Sequence, residues 1–131
     1  PWTPERLDAW YAAQRKAQPE LALRRALALY ALLEATGRAV PPENWRSLLQ
    51  GPVVSVEPGL NVAWTEGISR AAENGRIGEA VLLTAVGAAA TGDEPFASVA
   101  AARQAISALR RLGLVAEARL LSIEIALAAG L

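Results

Sequence analysis

Apolar residues recur along most of this chain every three or four positions, the spacing that lines one face of an α-helix. Leu7, Trp10 and Ala17 form one face of a first helix, which Thr3-Pro4-Glu5 opens. Each of those three residues suits a helix start: a capping hydroxyl, a proline where no N–H is needed, and a carboxylate in the first turn. Pro19-Glu20 starts a second helix, with Leu23, Leu27, Tyr30 and Leu33 inward and Arg24, Arg25 and Glu34 elsewhere, ending at Gly37. Pro42 opens a short third helix over Glu43 to about Leu49. A fourth runs from Gly59 or Asn61 to Asn74, with Trp64, Ile68 and Ala71 inward. A fifth spans about Arg76 to Ala90. The sixth starts at Pro95 and has Phe96, Val99, Ala102, Ile106 and Leu109 opposite Arg103, Ser107, Arg110 and Arg111. The seventh runs from Leu114 to the end. Glu20–Arg24, Glu34–Arg38 and Glu66–Arg70 have the acid-first i,i+4 spacing that supports a helix.

One stretch breaks this pattern. In Gly51-Pro52-Val53-Val54-Ser55-Val56-Glu57-Pro58-Gly59, two Pro/Gly pairs bracket a β-branched run, which reads as an irregular extended loop. Such a loop either covers the helices as a lid or offers an edge for strand addition by a partner.

Helices five and seven differ from the others in being apolar nearly all round. Glu79 is the one strongly polar side chain of Ile77–Ala90, and Glu117, Arg119, Ser122 and Glu124 interrupt Val115–Ala129. A helix of this kind must be covered on more than one side. The fifth is expected to be central. The seventh, at the C-terminus, is central or presents an apolar face to a partner chain.

A longer period overlies the helical one. Gly37, Gly75 and Gly113 sit 38 residues apart, each between two apolar-periodic runs. Glycine is the favoured residue where a helix ends in the left-handed conformation. The segments after the last two glycines also match, Gly75-Arg-Ile-Gly-Glu-Ala-Val-Leu-Leu-Thr84 with Gly113-Leu-Val-Ala-Glu-Ala-Arg-Leu-Leu-Ser122. Upstream, Tyr30, Ile68 and Ile106 correspond, as do Leu33, Ala71 and Leu109. Periods of this size signal stacked supersecondary units. The expected fold is all-α: about seven helices stacked as antiparallel hairpins in one domain over residues 1–131, as in a short α-solenoid.

Composition narrows the function. Alanine makes up about a fifth of the 131 residues, and the formal net charge is +0, which leaves no basic footprint for nucleic acid. Histidine and cysteine are absent. That removes Ser–His and Cys–His nucleophile pairs and the usual soft metal ligands, so no catalytic, cofactor or metal residues are assigned and no enzyme is expected. Glu79 and Glu117 read as carboxylates favoured near helix N-termini. Glu124, in an apolar helix, reads as an edge or salt-bridged residue. The dibasic pairs Arg24-Arg25 and Arg110-Arg111 read as solvated faces. No run of apolar residues is long enough to span a membrane. Starting at Pro1 and lacking methionine, the chain reads as a mature or excised piece of something longer.

The chemistry left to such a chain is recognition. Trp10, Tyr11, Trp45 and Trp64, together with Val53, Val54 and Val56 of the loop, are the candidate partner-binding residues, because tryptophan and tyrosine are favoured interface anchors where exposed. The alternative for the same aromatics is a small N-terminal core. The leading expectation is a non-enzymatic protein–protein interaction or assembly module whose partner is another protein or a second copy of the chain. The alternative is a small apolar ligand or lipid carrier, with helices five and seven lining a cavity.

Two resemblances accompany this reading. The Gly75 and Gly113 segments, with glycine ahead of a Glu-Ala-containing helix, resemble the second-helix opening of tetratricopeptide repeats, which implies interaction-mediating α-hairpins. The last third, Arg110-Arg-Leu-Gly-Leu-Val-Ala-Glu-Ala-Arg-Leu-Leu-Ser-Ile-Glu-Ile-Ala-Leu-Ala-Ala-Gly-Leu131, is similar to the C-terminal ends of large Ala/Pro-rich α-proteobacterial proteins labelled antifreeze-glycopeptide-related. It implies a folded C-terminal module on a long, exported chain, hence the periplasm or cell envelope, with the cytoplasm as the alternative.

Overall fold

The computed structural model describes residues 2–50, 62–89 and 98–131, and among these the chain is all-helical. The helices are α1 (Pro4–Ala17), α2 (Pro19–Ala35), α3 (Pro42–Leu49), α4 (Val62–Glu73), α5 (Ile77–Ala89), α6 (Val99–Arg111) and α7 (Val115–Ala128). The loop at 51–59, Pro95 and Phe96 lie outside the described residues, and α6 begins at Val99 after an extended Ser98, four residues later than the expected Pro95 start.

Local signals set the helix ends. Thr3 caps α1, its Oγ1 accepting from the Arg6 amide, and Pro4 takes the first position. The Glu5 carboxyl is held below the usual carboxylate range by its own backbone amide and then by the Thr3 hydroxyl. Ser98 caps α6 in the same way through the Ala101 amide. Gly37, Gly75 and Gly113 have φ of +88°, +67° and +82° and end α2, α4 and α6. Each closure is a Schellman turn: the glycine amide donates three residues back, and the next amide donates five back, as in Arg38 to Leu33 O, Arg76 to Ala71 O and Leu114 to Leu109 O. Gly130 ends α7 identically.

The helices do not assemble in chain order. α4–α5 and α6–α7 are hairpins, but α6 sits between α2 and α4 and touches α2, α4, α5 and α7. Its alanines account for this. Ala101, Ala102, Ala105 and Ala108 are buried along with Ile106 and Leu109, so α6 presents short side chains to several neighbours at once. The expectation of a central α5 is corrected: Ile77, Val81, Leu82 and Val86 are exposed, because α5 packs on the outside of α4 and α6.

Two apolar clusters result. The larger joins Leu32 and Ala35 of α2 to Ile68, Ala72, Ile106, Leu109, Ala118 and Ile125. The smaller holds Leu7, Ala26, Tyr30, Leu33, Val40 and Leu48 under α1 and α3. α2 contributes to both clusters, and so it is buried on more sides than its Leu23–Leu33 stripe predicts. Ala17, expected inward, is exposed.

Candidate functional site

The candidate binding aromatics divide between the two clusters. Trp10, Tyr11 and Trp45 are half-buried against the smaller one. Trp45 meets the Tyr30 ring edge-on with centroids 5.3 Å apart, and the Arg15 guanidinium lies 5.9 Å over the Tyr11 ring. Trp64 packs against the larger cluster, and its indole N–H donates to Leu83 O at 2.7 Å, tying α4 to α5. Val53, Val54 and Val56 lie outside the described residues.

Beneath the first three aromatics is a polar cluster that periodicity did not reveal. Asn44 of α3 is fully buried, and its Nδ2 donates to Pro4 O at 3.2 Å and to Asp8 Oδ1 at 2.7 Å. Its Oδ1 and the Tyr30 hydroxyl have no hydrogen-bond partner among the described residues. Burial, then the nearby Asp8 carboxylate and then Tyr11, pushes the Tyr30 phenol up to about 12. A lone asparagine in a short helix has no periodic signature, so tertiary contact alone marks it.

Several residues read as solvated instead tie helices together. Glu34 Oε1 accepts from the Trp45 indole and Oε2 from Arg103, each at 3.0 Å, so one carboxylate joins α2, α3 and α6. Gln104 Nε2 donates to Ser69 Oγ, and Arg110 Nη1 to Ala35 O at 2.9 Å. Arg25, half-buried, donates to Gln14 Oε1. Glu66–Arg70 pairs as its spacing predicts, and Glu79 pairs with Arg76 at the start of α5. Glu124 is exposed.

Among the described residues no group of three Asp, Glu, His or Cys side chains converges as a metal ion needs, and no helix is long and apolar enough to cross a membrane. The surface is notable instead for its apolar helix faces. On α5, Leu82 is 64% exposed, with Ile77, Val81 and Val86 around it. On α7, Leu120, Ile123 and Leu127 are 63%, 55% and 69% exposed. The two helices pack on α6 and, among the described residues, are not neighbours of one another. Compared with known proteins, the chain matches no family model, no curated protein and no solved structure. The functional reading therefore rests on this surface.

Proposed function

We propose that this chain is a non-enzymatic protein–protein assembly module built from helical hairpins. One observation carries the reading: α7 turns a row of large aliphatic side chains to solvent along a helix face, and α5 exposes Ile77, Val81, Leu82 and Val86 over a wider arc. Single exposed aliphatics are ordinary, but contiguous rows are the usual mark of a surface that another protein covers. The hairpin-repeat description draws support from positions 38 apart. Tyr30, Ile68 and Ile106 are each fully buried, as are Ala80 and Ala118, while Leu82 and Leu120 are exposed alike. The second-helix face left open is thus the same in both hairpins.

The test is association of the purified chain, read by light scattering and native mass spectrometry up to millimolar concentration. The expected result is a protein complex that Leu82→Glu or Leu120→Glu weakens while the helical circular dichroism stays unchanged. A chain that stays monomeric and retains a small apolar molecule would reject assembly in favour of ligand carriage.

A further inference from the structure

The outer face of α7 carries its own pairing code. Ala116, Leu120, Ile123 and Leu127 are spaced four, three and four residues apart and are all exposed. That is the a/d spacing of a two-helix seam. Ala118 and Ile125, the buried residues of α7, lie on the opposite side and hold the helix against the core. In this register Glu117 and Glu124 occupy e positions and Arg119 a g position, all three exposed.

From this arrangement we infer that a second copy of the chain covers α7, the two α7 helices lying parallel and in register about a twofold axis. In a parallel pair, g of one helix faces the e five residues on in its partner. Arg119 therefore meets the partner subunit's Glu124, and the twofold repeats the pair on the other side. The antiparallel arrangement sets e against e, and here that means Glu117 against Glu124. The charge pattern thus selects both the occupant and its direction. α7 is already folded on α6, so association has no helix to order. A formal net charge of +0 leaves no global repulsion between copies.

This inference rests on the assembly reading and deepens it by naming the partner. The chain has no cysteine, so Ile123→Cys introduces a single thiol. In the parallel pair the two thiols face each other across the axis, and mild oxidation of Ile123→Cys alone gives a covalent dimer. Preferential cross-linking of Leu120→Cys to Ile123→Cys in a mixture would show the antiparallel pair and overturn the proposal. Sedimentation equilibrium supplies the second arm. Arg119→Glu and Glu124→Arg each weaken the dimer by about tenfold or more, and the double exchange restores it. A dimer that ignores both exchanges and is lost on Leu82→Glu overturns the α7 assignment but leaves assembly standing. A chain monomeric throughout overturns the α7 dimer, and one that also retains a small apolar molecule overturns assembly as well.

Discussion

Arg110, in the last turn of α6, donates from Nη1 to Ala35 O at the end of α2, and its guanidinium lies directly against Gly37. An orphan carbonyl at one helix C-terminus is thereby satisfied by a cation from another helix. A second guanidinium, that of Arg25 of α2, lies against Gly130 after α7 and donates to Gln14 Oε1. One arginine from each dibasic pair therefore covers a helix-ending glycine, which ties α2, α6 and α7 together.

The first prediction separates backbone strain from this contact. A Cβ at Gly75 or Gly113 would meet nothing within 4 Å, so alanine there costs only its left-handed φ, about 1–2 kcal/mol. At Gly37 a Cβ would lie 2.7 Å from Arg110 Nη2, so the guanidinium must shift and its bond to Ala35 O is weakened. Gly37→Ala is expected to cost about 1 kcal/mol more than Gly113→Ala in urea denaturation. In an Arg110→Ala background that excess disappears.

Tyr30 should make the fold sensitive to alkali. Its phenol titrates near 10 in the unfolded chain and is pushed up to about 12 in the fold. The folded state therefore holds its proton more tightly, so stability is complete below pH 10 and falls as pH rises through 12. Tyr30→Phe removes a hydroxyl that has no partner among the described residues. It should be close to neutral at pH 7 and should flatten the loss between pH 10 and 12, measured as Tm against pH.

Asn44→Ala should be among the more damaging polar substitutions. It removes donors to Pro4 O and Asp8 Oδ1 from a fully buried site and leaves a cavity beneath α1. The expected cost is about 2–3 kcal/mol, read from the denaturation midpoint.

Glu34 offers a milder contrast. Glu34→Gln keeps a side-chain oxygen for the Trp45 indole and loses the charge facing Arg103, an exposed pair worth no more than about 1 kcal/mol. Glu34→Ala loses both contacts, so it should cost more and shift tryptophan emission to the red. Equal emission from the two variants would show that the indole hydrogen bond contributes nothing.

How far the sequence can be read depends on the range of the interaction. Thr3, Pro4, Pro19, Pro42 and the spaced glycines mark helix ends by backbone sterics and capping within a few residues, and the structure places those ends where the pattern predicts. The all-α class and the inward Ile68, Ala71, Ile106 and Leu109 were legible for the same reason. Of the candidate binding set, the sequence located the aromatics but not their division between two clusters.

Two features belong to the tertiary structure alone. α5 and α7 are apolar nearly all round, so periodicity carried little direction for them, and packing on α6 decided which rows meet solvent. α6 is central because its alanines are small, a property that reads as a weak apolar signal along the chain and becomes decisive only when four helices compete for one position. The sequence by itself determined most of the helix ends, since those choices are local, although α6 begins under its Ser98 cap and not at Pro95. Which helix lies inside, and which polar side chains bridge its neighbours, depended on contacts between residues as distant as Ala35 and Arg110, which no local pattern encodes.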